Sequence, residues 1–247
     1  MTDPKDLIAR RVALELHHRT LVNLGIGLPT LVARFVPPGI RVAFQSENGI
    51  IGFGAPPPDG MEDPNLTDAG GAFISALPGA CSFDSATSFA FIRGGHLDMT
   101  VLGGLQVDAL GRLANWKVPG KMVAGMGGAM DLVAGARRVI VAMQHAARGE
   151  SKIVPELTLP ATSARRVTLV VTDLAVIEPT ADGLLLRERA PGVTVEQILA
   201  ATAAPLIVPP TVAEMDLAPV TPAVDPETVI IETADQGRRA VSVAGGS

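Results

Sequence analysis

Glu47 is the residue in this sequence best placed to do chemistry, in the segment Gln45-Ser46-Glu47-Asn48-Gly49. The preceding run, Val42-Ala43-Phe44, is short, apolar and β-prone, which predicts a buried strand. Ser, Asn and Gly then favour a turn, so the carboxylate stands where the strand ends. Ligands of open α/β sheets bind at the carboxyl ends of strands, where a Glu can act as a nucleophile, a general base or a cation partner. A solvated turn acid is the alternative, and Glu47 taken alone does not exclude it.

Two glycine-rich segments could place backbone N–H groups beside this carboxylate. A Gly-Ile-Gly turn at 25–27 lies between a predicted strand and a short helix predicted at 28–35, and such a corner accepts anions. A glycine cluster at 125–128 allows a backbone to approach a ligand or the Glu47 turn. Neither segment has the dinucleotide-binding or the P-loop pattern. A Glu with converging N–H donors suits acyl chemistry, because the carboxylate can attack a thioester while the donors stabilise the oxyanion.

Other reactive residue types give weaker signals. His96 and Asp98 have the spacing of a base and its orienter on one strand face, but no hydroxyl nucleophile stands nearby in an elbow, so we favour a structural, hydrogen-bonded histidine. Cys81 is the only cysteine, which excludes an internal disulfide and fits a reducing cytoplasm. We expect it to be a small buried apolar residue rather than a nucleophile. The histidines are scattered, so no metal site is predicted.

The elements that must position these residues alternate between strands and helices. This order predicts an α/β fold with an open, mostly parallel sheet flanked by helices. An amphipathic helix is predicted over 3–18, with His17 and His18 in its last turn. Strands are also predicted at 75–80, 99–107 with a kink at Gly103-Gly104, 139–143 and 167–171, and helices at 81–92, 132–136 and 194–202. The domain is expected to span 1–208, and the Pro- and Ala-rich tail 209–247 to be extended or disordered.

The composition limits the classes of function. Hydrophobic residues make up 47% of the chain and charged residues 18%, with a net charge of −5. That charge argues against general binding of nucleic acid, which needs basic surface. No apolar run reaches the roughly 18 residues that a membrane span requires, and the acidic start lacks a signal pattern. We therefore predict a cytoplasmic protein that binds neither nucleic acid nor membranes.

Several segments in register resemble the B subunit of class I 3-oxoacid CoA-transferases. They run in order from about residue 7 to 134, and the resemblance continues more loosely to about 209. The segments lie at 23–29 (Asn-Leu-Gly-Ile-Gly-Leu-Pro), 45–49, 77–80, 89–96, 113–116 (Leu-Ala-Asn-Trp) and 119–131. Several long motifs in one order make this a specific resemblance, unlike any single glycine pattern.

The resemblance implies that Glu47 attacks an acyl-CoA to give a mixed anhydride, which the released CoA thiolate converts into a glutamyl-CoA thioester. An acceptor acid then reverses the steps. The family has an open α/β sheet, a site at the junction with an A subunit, and no metal or redox cofactor. Asn23 would line the site, and Gly127 and Gly128 would close against the thioester. The predicted residues that bind CoA and substrate are Asn23, Gly25, Gly27, Asn48, Gly49, Gly127 and Gly128.

The leading hypothesis is a CoA-transferase with a succinyl-CoA donor and acetoacetate or 3-oxoadipate as acceptor. Its expected assembly is two A and two B subunits, with a single A–B pair as the alternative. An acyl-CoA hydrolase that uses the same Glu is one alternative. A binding or regulatory subunit on a sugar-phosphate-isomerase-like fold is another, against which the intact Ser-Glu-Asn-Gly motif argues. Two departures limit the transfer of roles: Gln144 stands where relatives often have a Glu, and 149–193 differ too much to assign substrate contacts.

Overall fold

The core of the fold is one 11-stranded sheet with helices on both faces. The computed structural model describes residues 3–118, 120 and 127–220. The helices are α1 Pro4–Ala13, a 3₁₀ helix Leu28–Phe35, α2 Ser85–Arg93, α3 Ala129–Gly135 and α4 Val195–Ala201. The strands are β1 Thr20–Leu24, β2 Val42–Ser46, β3 Ile50–Phe53, β4 Ala76–Ser82, β5 Met99–Leu102, β6 Gln106–Asp108, β7 Leu113–Ala114, β8 Arg138–Ala142, β9 Ala146–Ala147, β10 Glu150–Ser151, β11 Ile153–Val154, β12 Leu169–Val171, β13 Ala175–Pro179, β14 Leu184–Arg189, β15 Leu206–Ile207 and β16 Ala213–Glu214.

The centre of the sheet is parallel and is followed on each side by antiparallel pairs, beyond which β15 and β16 pair parallel with β14. The strand order is β15-β14-β13-β12-β8-β5-β1-β2-β3-β4, and β16 pairs with β14. From β12 through β8, β5 and β1 to β2, every pairing is parallel. On one side β2, β3 and β4 form antiparallel pairs, as do β12, β13 and β14 on the other. The predicted open, mostly parallel sheet is therefore confirmed.

Alternation along the central strands divides the core into two layers. In β8, Val139 and Val141 pack with α2, α3 and α4, whereas Ile140 and Ala142 pack with α1 and the 3₁₀ helix. This follows from the two-residue period of a strand, which sends successive side chains to opposite faces. Both faces are covered, so β5 is buried along its whole length and β8 is buried from Val139 to Ala142.

The first helix is shorter than predicted. Its N-terminus is as expected, since the Asp3 side chain accepts a hydrogen bond from the Lys5 N–H and Pro4 occupies the first turn. The helix ends at Ala13, however, and His17 and His18 lie in the connection between α1 and β1. The chain reverses there into β1, with Arg19 at a φ of 63°. The prediction that the two histidines complete the helix is therefore wrong.

Two further sequence predictions fail because they depend on the position of an element in the sheet. Cys81 is exposed rather than buried. It lies on β4, the edge strand, most of whose residues are exposed. The strand predicted at 99–107 is two strands, since β5 belongs to the main sheet and β6 pairs with β7 and β11 in a small separate sheet. The chain leaves the main sheet at Gly103-Gly104.

The described part of the predicted tail packs onto the domain. Residues 209–220 include β16, and Met215 and Ala218 are buried against α1. The Arg10 Nε donates to the Ala218 carbonyl oxygen at 2.6 Å, and the Ala218 N–H donates to the Arg10 carbonyl oxygen at 3.2 Å. Residues 221–247 lie outside the described residues, and the division after residue 208 stays a prediction. Within the described ranges, no helix is long and apolar enough to cross a membrane.

Candidate active site

Glu47 lies in the turn between β2 and β3, at the carboxyl end of a strand that runs parallel to β1. The turn is closed by a hydrogen bond from the Gly49 N–H to the Ser46 carbonyl oxygen at 3.0 Å. Gly49 has a φ of 122°, and a Cβ there would collide with the Phe83 carbonyl oxygen. Only glycine therefore fits this turn. The sequence here builds a rigid hairpin that presents the carboxylate at the edge of the parallel region.

The second glycine cluster contacts this carboxylate directly. The Gly128 N–H donates to Glu47 Oε1 at 3.0 Å. A Cβ on Gly128 would collide with Glu47 Oε2 and lie 3.1 Å from the Phe89 ring, so the backbone reaches the carboxylate only because the side chain is absent. Gly127 has a φ of 52°, and its Cβ position is 3.5 Å from Glu47 Oε1. Gly125, the first glycine of the cluster, lies outside the described residues.

Burial raises the pKa of Glu47 above its ordinary value, since desolvation disfavours the charged form. The hydrogen bond from the Gly128 N–H acts in the opposite direction, and the negative charge of Asp131 on α3 raises the pKa further. The result is a poorly solvated and relatively basic carboxylate with one oxygen held by a backbone N–H. These are properties that favour attack on an acyl carbon.

A cavity of about 360 Å³ opens in front of Glu47. It is bounded by the ends of β1, β2 and β5 and by the start of α3. Its lining residues are Asn23, Leu24, Gly25, Ile26, Ser46, Glu47, Ala69, Leu102, Gly103, Gly104, Leu105, Asn115, Gly127, Gly128, Ala129 and Leu132. Lys and Arg do not occur among these residues. The part of the wall that the structure describes therefore offers no cation to a carboxylate substrate.

Asn23 lines this cavity, but its side chain is turned into the protein. The residue is 2% exposed. Its amide donates to Gln45 Oε1 at 2.8 Å and to the Gln45 carbonyl oxygen at 3.1 Å, and its Oδ1 accepts from the Thr100 hydroxyl at 3.1 Å. Gln45 Nε2 in turn donates to the Ser88 hydroxyl oxygen at 2.9 Å. This buried network joins β1, β2, β5 and α2 directly below the Glu47 turn.

The other predicted binding residues divide into two groups. Gly25 lines the cavity, and its N–H donates to the Val101 carbonyl oxygen at 2.8 Å. Gly27, Asn48 and Gly49 are not among the lining residues. Gly27 precedes the 3₁₀ helix with a φ of 88°, and the Asn48 amide donates to the Thr67 carbonyl oxygen at 2.8 Å. In this structure these three shape the turns and loops around the cavity.

Sequence reasoning missed lining residues contributed by the chain after β5. Gly103 and Gly104 follow the carboxyl end of this strand, which lies next to β1. Asn115 donates from its amide to the Gly103 carbonyl oxygen at 3.2 Å and accepts from the Thr162 hydroxyl at 2.7 Å. The glycine pair was visible in the sequence, but its place in the site depends on which strands are neighbours.

His96 and Asp98 do not form a base and orienter pair. Asp98 accepts from the Leu21 N–H at 2.9 Å and from Arg137 Nη1 at 3.0 Å, while the His96 ring lies against the Phe91 ring. Neither residue is in a strand, so the predicted shared strand face is wrong. Across residues 3–118, 120 and 127–220, no cluster of His, Cys, Asp and Glu could hold a metal ion.

Comparison with known proteins points to one family. A family model described as coenzyme A transferase matches residues 5–201. The chain is 52% identical over 214 residues to the beta subunit of an acetate CoA-transferase of Haemophilus influenzae, an alignment that covers 86% of this chain and 96% of that protein. It is 50% identical over 195 residues to the B subunit of a succinyl-CoA:3-ketoacid coenzyme A transferase of Helicobacter pylori (78% and 94%). The B subunit of a 3-oxoadipate CoA-transferase of Acinetobacter baylyi is 45% identical over 205 residues (82% and 94%).

Solved structures agree on the fold. The apoenzyme of the acyl-CoA transferase YdiF of Escherichia coli superposes with a TM-score of 0.70 at 26% identity, covering 87% of this chain and 43% of that chain. This chain therefore spans less than half of that longer polypeptide. The glutaconate coenzyme A-transferase of Acidaminococcus fermentans superposes with a TM-score of 0.66 at 20% identity, a likeness of fold alone, over 88% of this chain and 90% of that chain.

Proposed function

Because this chain belongs to the coenzyme A transferase family and is a B-type chain of such an enzyme, we propose that it carries the nucleophile that moves CoA between carboxylic acids. The donor is succinyl-CoA, the acceptor is a 3-oxo acid, and the intermediate is a thioester on Glu47. The observation that carries the proposal is the Gly128 N–H, which donates to one carboxylate oxygen of a buried Glu47 at the mouth of a cavity.

The reaction is a series of acyl exchanges at this carboxylate. Glu47 Oε2 attacks the acyl carbon of the donor, the C–S bond breaks, and CoA leaves as a thiolate. The thiolate then attacks the glutamyl carbon of the anhydride, which breaks the C–O bond and releases the donor acid as a carboxylate. The acceptor carboxylate repeats both steps in reverse and leaves as the new acyl-CoA, so Glu47 is restored and no proton is consumed.

The Gly128 N–H stabilises the oxyanion that forms during these reaction steps. Each attack on the glutamyl carbon places negative charge on the oxygen that remains, and Oε1 already accepts the hydrogen bond from Gly128 at 3.0 Å. A donor fixed at the developing oxyanion stabilises the transition state without reorganisation. The steps exchange acyl groups between carboxylates and a thiolate, so we propose that they need neither a metal nor a redox cofactor.

We propose that an A subunit completes the site. The relatives named as beta or B subunits imply an alpha or A partner. The described cavity wall offers Glu47 and backbone N–H groups but no cation for the acid substrate. A second polypeptide could supply that cation, and two copies of each chain are the proposed assembly. A cytoplasmic location stays a prediction.

The acceptor has a second candidate. The relative at 52% identity is named for acetate, whereas those at 50% and 45% are named for a 3-ketoacid and for 3-oxoadipate. Assays of the complex with succinyl-CoA and each of acetoacetate, 3-oxoadipate and acetate rank these acceptors by kcat/KM. A parallel assay without acceptor measures hydrolysis, which would dominate if water resolved the thioester.

The covalent step is tested by intact mass measurement of the complex after incubation with succinyl-CoA alone. We expect a CoA-sized adduct on this chain that borohydride converts to a reduced side chain at Glu47. Labelling of another carboxylate, or transfer activity with no adduct under any acyl-CoA concentration, would contradict the assignment.

A further inference from the structure

Arg165, in the loop before β12, contacts the end of α3 that is remote from Glu47. Its guanidinium donates four hydrogen bonds to backbone carbonyl oxygens: from Nη1 to Val133 at 2.9 Å, Ala134 at 2.9 Å and Ala136 at 2.6 Å, and from Nη2 to Arg137 at 3.0 Å. The last carbonyl groups of a helix lack partners within the helix, and a cation there also interacts favourably with the helix dipole. Arg165 therefore supplies the C-terminal cap of α3.

This cap matters because α3 is short and depends on contacts with the rest of the protein for its position. The helix has only 7 residues, and helices of this length depend on tertiary contacts. Its apolar side chains Leu132 and Val133 are buried in the core. Gly135 lies directly against the Ile92 carbonyl oxygen of α2, and Asp131 pairs with Arg93 at 2.7 Å. Arg93 is largely exposed, so its ion pair contributes little. Arg165 adds two hydrogen bonds to carbonyl oxygens within α3, those of Val133 and Ala134, and two to the residues that directly follow the helix.

The N-cap residue of the same helix is Gly128, the donor to Glu47 Oε1. Any movement of α3 along its axis therefore changes the distance between this N–H and the carboxylate. Hydrogen bonds weaken steeply outside about 2.7–3.2 Å, and misplacement of reacting groups by about 1 Å can cost about 10²-fold in rate. A residue that holds the far end of α3 therefore affects the distance between the Gly128 N–H and Glu47 Oε1 without contacting Glu47.

We propose that Arg165 is a positioning residue for CoA transfer: by binding the C-terminal carbonyl groups of α3, it holds the Gly128 N–H on Glu47. The inference rests on the proposed role of Glu47 as nucleophile. Arg165 is not among the residues that line the cavity, so its effect is on the reacting carboxylate and not on substrate contact.

The test uses Arg165→Met in the complete complex, because Met keeps an aliphatic stem and removes the guanidinium that makes all four hydrogen bonds. We expect kcat to fall about 10- to 100-fold while KM changes little. The acidic limb of the pH profile of kcat/KM should also move to higher pH, because the Gly128 hydrogen bond is an influence that lowers the pKa of Glu47. Asp131, the charged group that faces Glu47 from α3, remains in the variant.

Arg187→Met is the matched control. Arg187 is an exposed residue of β14 that pairs with Glu178 at 3.1 Å, remote from α3 in the strand order. The Arg187→Met variant loses the same charge and should keep the kcat and the pH profile of the unmodified complex. A purely structural effect of Arg165→Met would lower the melting temperature and the active fraction but would leave the pH profile in place.

The outcomes separate this inference from the proposed function. Absence of a Glu47 adduct in the unmodified complex overturns the proposed function. An adduct in the unmodified complex together with an unchanged kcat and pH profile in Arg165→Met overturns the role of Arg165 alone. If Arg165→Met does not fold, Arg165→Gln replaces it, since Gln is polar but lacks the guanidinium. An unchanged kcat and pH profile in that variant overturn the inference equally.

Discussion

The two oxygens of Glu47 have different surroundings, and this difference carries the chemistry proposed for the residue. Oε1 accepts the Gly128 N–H at 3.0 Å. No described group donates to Oε2, which is therefore the oxygen assigned to attack. Burial and the charge of Asp131 keep the carboxylate basic, while the single N–H donor prevents its pKa from rising further.

Glu47→Gln and Glu47→Asp should each lower kcat by several orders of magnitude. Gln preserves the shape but removes the ionised nucleophile, and Asp withdraws the carboxylate by one methylene, roughly 1 Å or more. Steady-state transfer assays of the complex measure the loss, and circular dichroism verifies the fold. Turnover by Glu47→Gln at the unmodified rate would rule out covalent catalysis by this residue.

Gly128→Ala should fold and turn over poorly. The new Cβ would collide with Glu47 Oε2 and press on the Phe89 ring, so either the carboxylate or the start of α3 must move. Gly79→Ala is the control, because a Cβ there meets nothing within 4 Å although its φ of 86° strains an alanine, whereas Gly128 has a φ of −86° that alanine adopts readily. Measurements of kcat and melting temperature on both variants test whether Gly128→Ala lowers turnover while the protein remains folded. Unchanged kcat in Gly128→Ala would mean that the glycine serves only the turn.

At the residue scale, the sequence predicted what local patterns encode. The Glu47 turn was predictable because Ser, Asn and Gly each favour turns, and the glycine cluster because close backbone approach requires the absence of a Cβ. The place of Asn115 in the cavity wall was not predictable, because it depends on a hydrogen bond from Asn115, after β7, to Gly103, after β5. The exposure of Cys81 was mispredicted because the apolar sequence around it does not show that β4 is an edge.

At the scale of elements, His145 joins β12 to α4. It follows β8, is buried, and bonds through Nδ1 to the Thr172 hydroxyl and through Nε2 to the Thr202 hydroxyl, both at 2.9 Å. The Thr202 hydroxyl donates to the Ile198 carbonyl oxygen, so it must accept from Nε2. A neutral ring with its proton on Nε2 satisfies both contacts when the Thr172 hydroxyl donates to Nδ1 at 2.9 Å instead of to the Ala175 carbonyl oxygen at 3.1 Å. Burial lowers the pKa of His145 to about 4, against the opposing charge of Asp173.

This linkage predicts that the domain loses stability on mild acidification. The pKa of His145 is depressed in the folded state, so its contribution is complete above the ordinary value of 6.5 and is lost as the pH falls toward about 4. The full difference is on the order of 3 kcal/mol. Urea unfolding between pH 7 and pH 4.5 measures it, with His145→Gln as the variant that cannot titrate. An equal slope with pH in both proteins would contradict the assignment.

Element types were predictable from periodicity, whereas element ends were not. The predicted capping box of α4 is confirmed. The Thr194 side chain accepts from the Gln197 backbone N–H, and the Gln197 side chain accepts from the Thr194 backbone N–H. The end of α1 was wrong because the apolar period continues through Leu16, which is buried although the helix has ended. Where a chain must reverse into a sheet, tertiary packing overrides the local signal.

At the scale of the whole molecule, the chain is unusually apolar for its length. Its mean hydropathy is +0.35 and only 18% of its residues are charged. Part of this excess fills the two core layers around the parallel strands. Another part is exposed, and Ile26, 67% exposed, stands in the wall of the Glu47 cavity. Ile26 is therefore the residue that we choose to test for contact with the proposed partner subunit.

We therefore expect an A subunit to bind over the mouth of the Glu47 cavity in an obligate interface of more than about 2,000 Å². Ile26→Glu should weaken this association, because it places a charge where the partner would exclude water. Leu110→Glu is the control, since Leu110 is 64% exposed but lies on a different part of the surface, between β6 and β7. Both variants are to be co-expressed with the partner chain, then compared by co-purification and by transfer assay. Equal recovery of the complex from the two variants would place the interface elsewhere, and full transfer activity from this chain folded alone would show that no partner is needed.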